Sequence, residues 1–302
     1  MNNLVIKENF NLVLEETNIV ERYLNFIDVT KTTYDTYKNG LKMLFIYFKE
    51  NNITQPTRQD IIAFREDLKL NHSLSTVNTY LISTRNFFKW LEYENIYKDI
   101  TKNIKGVTVS REHKREALTL EQAQLVLKNV KNNKEKIMLL LGLCCGCRAN
   151  ELCNIQLKDF IVRDNKVFLY LLGKGRSGKV DYVMVDNLLY KEIQEYVNEY
   201  GISDYLFTSD YKKDGSKVTN KTIRFTIKNA FRRVGIDDVK YSTHSLRHSF
   251  ATFAIQNGAD IRQVQQSLRH RELSTSMIYL HDLEMKNNPC GGIVSNVVLK
   301  GQ

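Results

Sequence analysis

The sequence predicts a mainly α protein of two domains, in which four short helices precede an α+β domain with a small antiparallel sheet. Apolar residues recur at helical spacing through the first hundred residues, and the pattern changes to strand-like alternation after Phe160. The chain has 302 residues, enough for about two domains of ordinary size. It contains only two prolines, which permits long helices.

The first domain is predicted over residues 17–102, after an unpatterned arm at 1–16. Its first helix begins at Asn18, and further helices are expected over 33–49 and 57–70. A fourth helix follows, with Ser75 as its expected N-cap. Each helix has one apolar face, so the four can fold around a shared core.

Polar and basic residues on the third and fourth helices form a candidate surface for binding a polyanion such as nucleic acid. Short polar and basic side chains at such positions suit phosphate and groove contacts, although they also fit an ordinary solvated face. Residues 103–116 are basic and lack a helical pattern, which predicts an interdomain linker that could cross a DNA backbone. The candidate contacts in these two regions are Arg58, Ser75, Thr76, Asn78, Arg85, Lys105 and Arg111.

The second domain is predicted over residues 117–290, opening with a capping box formed by Thr119 and Gln122. The apolar helix that contains residues 136–143 is expected in its core. Three strands follow near 160–162, 167–172 and 180–185. Helices return over 188–200, 219–234 and 244–257, and Asp260 is expected to cap one more.

The glycine-rich stretch between the second and third strands matches two nucleotide-binding motifs only superficially. Gly173, Gly175 and Gly178 have the G-x-G-x-x-G spacing, and Gly178-Lys179 resembles the end of a P-loop. Both motifs need a helix directly after the loop, whereas an alternating strand pattern follows here. We therefore interpret the stretch as a hairpin tip that carries Lys174, with Arg176 and Lys179 as DNA-backbone contacts.

The five cysteines do not indicate a disulfide framework, because their number is odd and four of them cluster between 144 and 153. Cys144 and Cys147 form a C-x-x-C, but no second ligand pair at zinc spacing is evident. The clustered thiols are expected to pack as small apolar groups. No metal and no cofactor is predicted.

The charge of the chain favours a polyanionic partner. Lysine and arginine total 44 against 34 acidic residues, which gives a formal net charge of +10. No apolar run approaches the ~20 residues that a membrane helix requires, so no membrane partner is predicted. The first residues do not resemble a signal peptide, and we expect a cytoplasmic protein.

Four side chains between 244 and 279 point to chemistry on a phosphodiester. His244 and Arg247 share one face of the predicted helix, and His270 and Tyr279 follow. Arginine binds phosphate with a planar fork, and histidine exchanges protons near neutral pH. Tyrosine can form a covalent intermediate.

These motifs resemble those of the tyrosine recombinase (phage integrase) family. H-S-L-R-H at 244–248, R-H-R-E-L-S-T at 269–275 and I-Y-L-H at 278–281 are similar to the family's H-x-L-R-H, L-G-H-x-x-x-x-T and Y-x-H. Upstream, C-R-A-N-E-L at 147–152 is similar to its first arginine motif, and G-K-G-R at 173–176 to its catalytic lysine hairpin. By itself, Arg148 with Glu151 could be a helix-surface ion pair. The ordered series favours the functional interpretation.

The resemblance implies an N-terminal SAM-like core-binding domain and a C-terminal catalytic domain. It also implies a site-specific recombinase that forms a 3′-phosphotyrosyl bond and exchanges strands through a Holliday junction. A homotetramer on two double-stranded DNA sites is expected. The implied catalytic residues are Arg148, Lys174, His244, Arg247, His270 and Tyr279.

Two features depart from the family pattern. Arg269 stands where glycine is usual, and Cys147 where an aliphatic residue is usual. A type IB topoisomerase and a non-catalytic DNA-binding protein are the alternatives. The apolar tail 291–302 follows two glycines and either docks on a neighbouring subunit in exchange for its tail or remains disordered.

Overall fold

The computed structural model describes residues 16–109, 116–173, 178–209 and 215–269. It divides the chain into two compact units, residues 1–112 and 113–302, and this boundary falls within the predicted linker. The predicted arm, apart from Glu16, and the predicted tail lie outside the described residues. So do five predicted site residues: Arg111, Lys174, Arg176, His270 and Tyr279.

The first unit contains the four predicted helices: α1 (Glu16–Phe26), α2 (Lys31–Glu50), α3 (Arg58–Asn71) and α4 (Leu74–Tyr93). Hydroxyl groups fix two helix starts, because the side chains of Thr30 and Ser73 accept hydrogen bonds from the main-chain N–H groups of Thr33 and Thr76. The prediction of Ser75 as the fourth cap was wrong. Ser73 has the extended backbone of an N-cap, which places Ser75 inside the first turn.

Aromatic rings form much of the core of the first unit. Phe45 and Phe87 meet edge to face with ring centroids 5.9 Å apart, and Tyr23 meets Phe87 at 5.4 Å. Leu41, Leu44, Phe48, Phe64 and Phe88 are also buried. The helical spacing of these apolar residues therefore identified the inner faces of the helices.

The second unit consists of α-helices and one small β-sheet. It contains α5 (Leu120–Lys128), α6 (Asn133–Cys145), α7 (Ala149–Leu152), a 3₁₀ turn (Leu157–Asp159), β1 (Phe160–Arg163), β2 (Lys166–Leu171), β3 (Asp181–Val185), α8 (Asn187–Tyr200), α9 (Asn220–Arg233), α10 (Thr243–Gln256) and α11 (Ile261–Leu268). The strands pair antiparallel in the order β1-β2-β3. Leu169 faces Phe160 on one side and Val183 on the other.

Helix α6 lies in the core of this unit, as its apolar sequence predicts, and it packs closely against α10. A Cβ atom at Gly142 would stand 2.7 Å from Leu246 Cδ1, so a larger residue here would force the Leu246 side chain to move. The helix ends at Gly146, whose φ of 57° is left-handed. The end of α6 is thereby placed beside α10, the helix that carries Arg247.

The clustered cysteines belong mainly to this core. Cys145, Cys147 and Cys153 are buried, and burial raises the pKa of the Cys147 thiol to about 12. The prediction fails for Cys144, which is exposed and contributes to the wall of a cavity beside β3. Within the described ranges, no helix has the length and apolar character needed to cross a membrane.

Candidate active site

Arg148 is the N-cap of α7 and stands two residues after Gly146, the left-handed residue that ends α6. Its main-chain N–H donates to Glu151 Oε2 at 2.8 Å, and its Nη1 donates to Glu151 Oε1 at 2.6 Å. The arginine side chain is 26% exposed, while the glutamate side chain is 2% exposed. The pair is therefore more than an exposed ion pair on a helix surface, because its carboxylate is buried.

Arg247 reaches the same region from α10 and is bound by main-chain carbonyls. Its Nη1 donates to the carbonyl of Gly146 at 2.5 Å, and its Nη2 donates to the carbonyl of Leu268. The residue is 4% exposed. Because Gly146 ends α6 and Leu268 ends α11, the guanidinium joins the ends of two helices to α10.

Arg269 adds a third guanidinium to this cluster. Its Nη2 donates to Glu151 Oε2 at 2.8 Å and to the Gly146 carbonyl at 3.2 Å, the carbonyl that also binds Arg247. Burial raises the pKa of the Glu151 carboxyl, but the charge of Arg269 and the N–H and charge of Arg148 outweigh it, so this pKa is lowered. The carboxyl is therefore ionised at neutral pH.

We call Arg148, Arg247, Arg269, Glu151 and Gly146 the arginine cluster. Two of the three cations bond to the buried carboxylate, and the third, Arg247, bonds to the neighbouring Gly146 carbonyl, which leaves a surplus of positive charge. Such a surplus suits an anion, and arginine forks suit the oxygens of a phosphate. The arrangement can therefore stabilise negative charge that develops on a phosphodiester.

His244 occupies the first turn of α10, one turn before Arg247, and is exposed. Its main-chain N–H bonds to the hydroxyl of Ser242, which caps the helix. Lys174, His270 and Tyr279 lie outside the described residues, so their roles remain predictions.

Lys179, predicted as a DNA-backbone contact, binds protein groups at the base of the hairpin. Its ammonium forms an ion pair with the buried carboxylate of Asp159 and donates to the carbonyl of Asn154 at 2.6 Å. Both contacts lie in the segment between α7 and β1. Lys179 therefore fixes the strand that leaves the predicted hairpin tip.

In the first unit, several predicted DNA contacts bind the main chain of residues 102–107, which we call the latched segment. Arg58 donates to the carbonyls of Lys102 and Asn103, and Arg85 donates to that of Ile104. Asn78 bonds twice to Val107, accepting its N–H at 2.9 Å and donating to its carbonyl at 2.8 Å. These side chains hold the start of the predicted linker on the helices.

The remaining predicted contacts of the first unit are more open to solvent. Ser75 and Lys105 are exposed, and Thr76 is half-buried beside the capping residue Ser73. A further residue, Arg65, was not predicted, although its Nη1 donates to the carbonyl of Lys105 at 3.0 Å. Sequence patterns identify arginines, but nothing in the sequence marks a main-chain carbonyl as their partner.

Sequence reasoning also missed Gly146 as a member of the site, and it noted Glu151 and Arg269 without connecting them. The carbonyl of Gly146 serves two arginines, and no side chain signals that role. Among the residues that the structure describes, no group of three or more His, Cys, Asp or Glu side chains could hold a metal ion.

Comparison with protein-family models gives two matches. Residues 116–286 match the phage integrase family, and residues 20–95 match the phage integrase N-terminal SAM-like domain. The two matches follow each other along the chain in the predicted domain order.

Individual tyrosine recombinases are similar to this chain over most of its length. Tyrosine recombinase XerA of Pyrococcus horikoshii is 28% identical over 265 residues, covering 87% of this chain and 88% of its own. A tyrosine recombinase of Pseudothermotoga lettingae is 28% identical over 262 residues, covering 84% and 88%.

Solved structures share the fold. The XerH site-specific recombinase, in its post-cleavage complex with a palindromic difH substrate, has a TM-score of 0.73 at 24% identity and covers 86% of this chain and 79% of its own. A lambda integrase tetramer bound to a Holliday junction has a TM-score of 0.70 at 13% identity, with coverage of 87% and 76%.

Proposed function

This chain belongs to the phage integrase family and is a site-specific DNA recombinase, and we propose that Tyr279 joins it covalently to DNA during strand exchange. The observation that carries the proposal is the arginine cluster. Arg148 and Arg247 come from distant parts of the sequence and converge on the segment between Gly146 and Glu151. The paired SAM-like and integrase matches favour a recombinase over a type IB topoisomerase or a non-catalytic DNA-binding protein.

In the proposed reaction, Arg148 and Arg247 stabilise the scissile phosphate. Negative charge grows on the non-bridging oxygens as the nucleophile attacks, and prepositioned guanidinium groups lower the energy of that state. His270 is proposed as a further donor. The guanidinium groups supply the electrostatic stabilisation that a metal ion provides in other phosphoryl-transfer sites.

Tyr279 is the proposed nucleophile. Its phenol oxygen attacks phosphorus, a new P–O bond forms, and the bond to the 5′-oxygen breaks. A free phenol has a pKa of about 10, so it needs a base or a strongly positive site to ionise. His244 is placed on α10 one turn before Arg247, and we assign it as the base or orienting group.

Lys174 is the proposed general acid, which gives a proton to the departing 5′-oxygen. The phosphotyrosyl bond conserves the energy of the broken phosphodiester. A second 5′-hydroxyl can then reverse the reaction and join a new strand without ATP.

The proposed partner is double-stranded DNA bearing two recombination sites, held by a homotetramer. The lambda integrase tetramer on a Holliday junction supports this assembly at the level of the shared fold. We propose the apolar tail 291–302 as the segment exchanged between protomers. A chain that ends at residue 290 and still forms the tetramer on DNA would contradict this role for the tail.

Covalent capture tests the proposed function without knowledge of the target site. Wild-type protein is incubated with a pool of randomised duplexes that carry a nick. Cleavage near the nick releases a short strand, so rejoining fails and the protein–DNA adduct accumulates. Sequencing of the captured DNA gives the cleavage site, and peptide mapping gives the attached residue.

We expect the adduct at Tyr279 and its complete loss in Tyr279→Phe. Tyr200→Phe removes a hydroxyl from the exposed surface of α8 and serves as the matched control, which should form the adduct normally. An adduct formed by Tyr279→Phe, or one mapped to another residue in the wild-type protein, would refute the assignment of the nucleophile.

A further inference from the structure

Arg269 has a backbone conformation that favours glycine. It is the C-cap of α11, with φ 55° and ψ 41°, and its main-chain N–H bonds to the carbonyls of Gln265 and Gln266. A residue with a Cβ atom is disfavoured in this left-handed region. An arginine placed here implies that its side chain makes an interaction that glycine could not supply.

That interaction is directed into the arginine cluster. The side chain of Arg269 is 4% exposed and bonds to the carboxylate of Glu151, the carbonyl of Gly146 and the carbonyl of Ser267. Its Nε is buried without a hydrogen-bond partner among the described residues. A buried donor left unpaired is unfavourable, and so is the left-handed backbone of a residue that is not glycine. The hydrogen bonds of the Arg269 side chain must offset both costs.

The bond to Glu151 connects Arg269 to Arg148. Arg269 binds Oε2 of the carboxylate at 2.8 Å, and the side chain of Arg148 binds Oε1 at 2.6 Å. The two guanidinium groups therefore hold opposite oxygens of one buried carboxylate. Because both oxygens are engaged, the carboxylate has a fixed orientation, and that orientation sets where the guanidinium of Arg148 lies.

We propose that Arg269 is a positioning residue for the recombination reaction, acting on Arg148 through Glu151. Without Arg269, the buried carboxylate loses a cationic partner and its neighbour Arg148 becomes its main source of positive charge. The carboxylate then turns toward Arg148, or takes up a proton, and the guanidinium moves from the place where it meets the phosphate. Misplacement of a reacting group by about 1 Å can reduce a rate by about 10²-fold.

The inference rests on the proposed function, and the same captured DNA serves its test. The single-turnover rate of adduct formation is measured at saturating nicked duplex, and DNA affinity and thermal midpoint are measured separately. Arg269→Gly is the main variant, because glycine fits the left-handed conformation and the fold should persist. Arg262→Ala removes an exposed arginine from the same helix and is the matched control.

Arg269→Gly should form the adduct about 10²-fold more slowly, while its DNA affinity and thermal midpoint stay close to those of the wild type. Arg269→Lys keeps the charge but loses the planar fork, so it should restore part of the rate. Arg262→Ala should retain the wild-type rate.

A double-mutant comparison separates positioning from an independent contribution. If Arg269 acts through Glu151, then Glu151→Gln and the combined Arg269→Gly/Glu151→Gln variant should have similar rates. The proposal would be overturned if the rate loss of the combined variant equalled the product of the rate losses of the two single variants. A wild-type rate in Arg269→Gly, or weakened DNA affinity with an unchanged saturating rate, would also overturn it. Absence of any adduct with the wild-type protein would instead refute the proposed function.

Discussion

Arg148 and Arg247 are held by different kinds of partner, and this difference determines what a substitution at each would report. Arg247 is buried and bonds to the carbonyls at the ends of α6 and α11, so its loss would disturb the fold as well as the proposed chemistry. Arg148 bonds to a carboxylate that Arg269 also binds. Removing Arg148 therefore leaves Glu151 with a cationic partner, which avoids an uncompensated buried charge.

The proposed general acid can be tested separately from the phosphate-binding groups. An alkoxide is a poor leaving group, so the loss of a general acid typically costs ~10²–10⁴-fold. A thiolate leaves without that proton. We therefore expect Lys174→Ala to cleave slowly on normal DNA and to recover when sulfur replaces the bridging 5′-oxygen at the captured cleavage site.

Lys179→Ala is the matched control for this measurement, because the Lys179 ammonium binds Asp159 and the Asn154 carbonyl. Its defect should arise from the hairpin base and should not respond to sulfur. Failure of the sulfur substrate to rescue Lys174→Ala would make Lys174 only a DNA contact. Rescue of Lys179→Ala alone would transfer the acid role to Lys179.

At the scale of elements, the sequence predicted the helices and strands closely. The second helix was expected over 33–49 and spans Lys31–Glu50, and the third strand was expected over 180–185 and spans Asp181–Val185. The spacing of apolar residues indicates these helix and strand boundaries, so they can be predicted from the local sequence alone. The fourth cap was missed because three residues, Ser73, Ser75 and Thr76, could each cap a helix, and only the backbone selects among them.

The latched segment was less predictable, because its partners are main-chain groups. Arg58, Arg65 and Arg85 come from two helices and bind successive carbonyls of residues 102–105. A basic composition indicated DNA contacts but could not indicate these carbonyls. The start of the predicted linker is consequently fixed to the first unit as far as Val107.

Asn78→Ala tests this latch. It removes both bonds to Val107, and each such bond typically contributes about 0.5–1.5 kcal/mol. We expect amide hydrogen exchange at Val107 to accelerate about tenfold or more. Asn86→Ala on the same helix removes a bond to Tyr37 and should leave exchange at Val107 unchanged. Equal exchange in wild type and Asn78→Ala would contradict the latch.

At the scale of the whole molecule, the order of motifs along the chain predicts which segments contribute to one site. The structure brings the segment of Arg148 and the helix of Arg247 together, because Gly142 lets α6 pack closely against α10 and Gly146 turns the chain at the end of α6. The sequence could not predict that Arg269 would share Glu151 with Arg148. That contact depends on where α11 ends, which is a property of the packed unit.

We propose that the arginines of the arginine cluster neutralise the charge of the scissile phosphate, and a substrate with an uncharged phosphate tests this role most directly. A methylphosphonate at the captured cleavage site replaces one charged oxygen by a methyl group, and the two stereoisomers are assayed separately with Arg148→Ala. On normal DNA we expect a loss of ~10²–10³-fold in the cleavage rate. On one of the two stereoisomers, Arg148→Ala and the wild type should cleave at similar rates, because the phosphate then has less charge to neutralise. An equal deficit on the normal substrate and on both neutral isomers would contradict the claim, since Arg148 would then support the fold and not the charge of the phosphate.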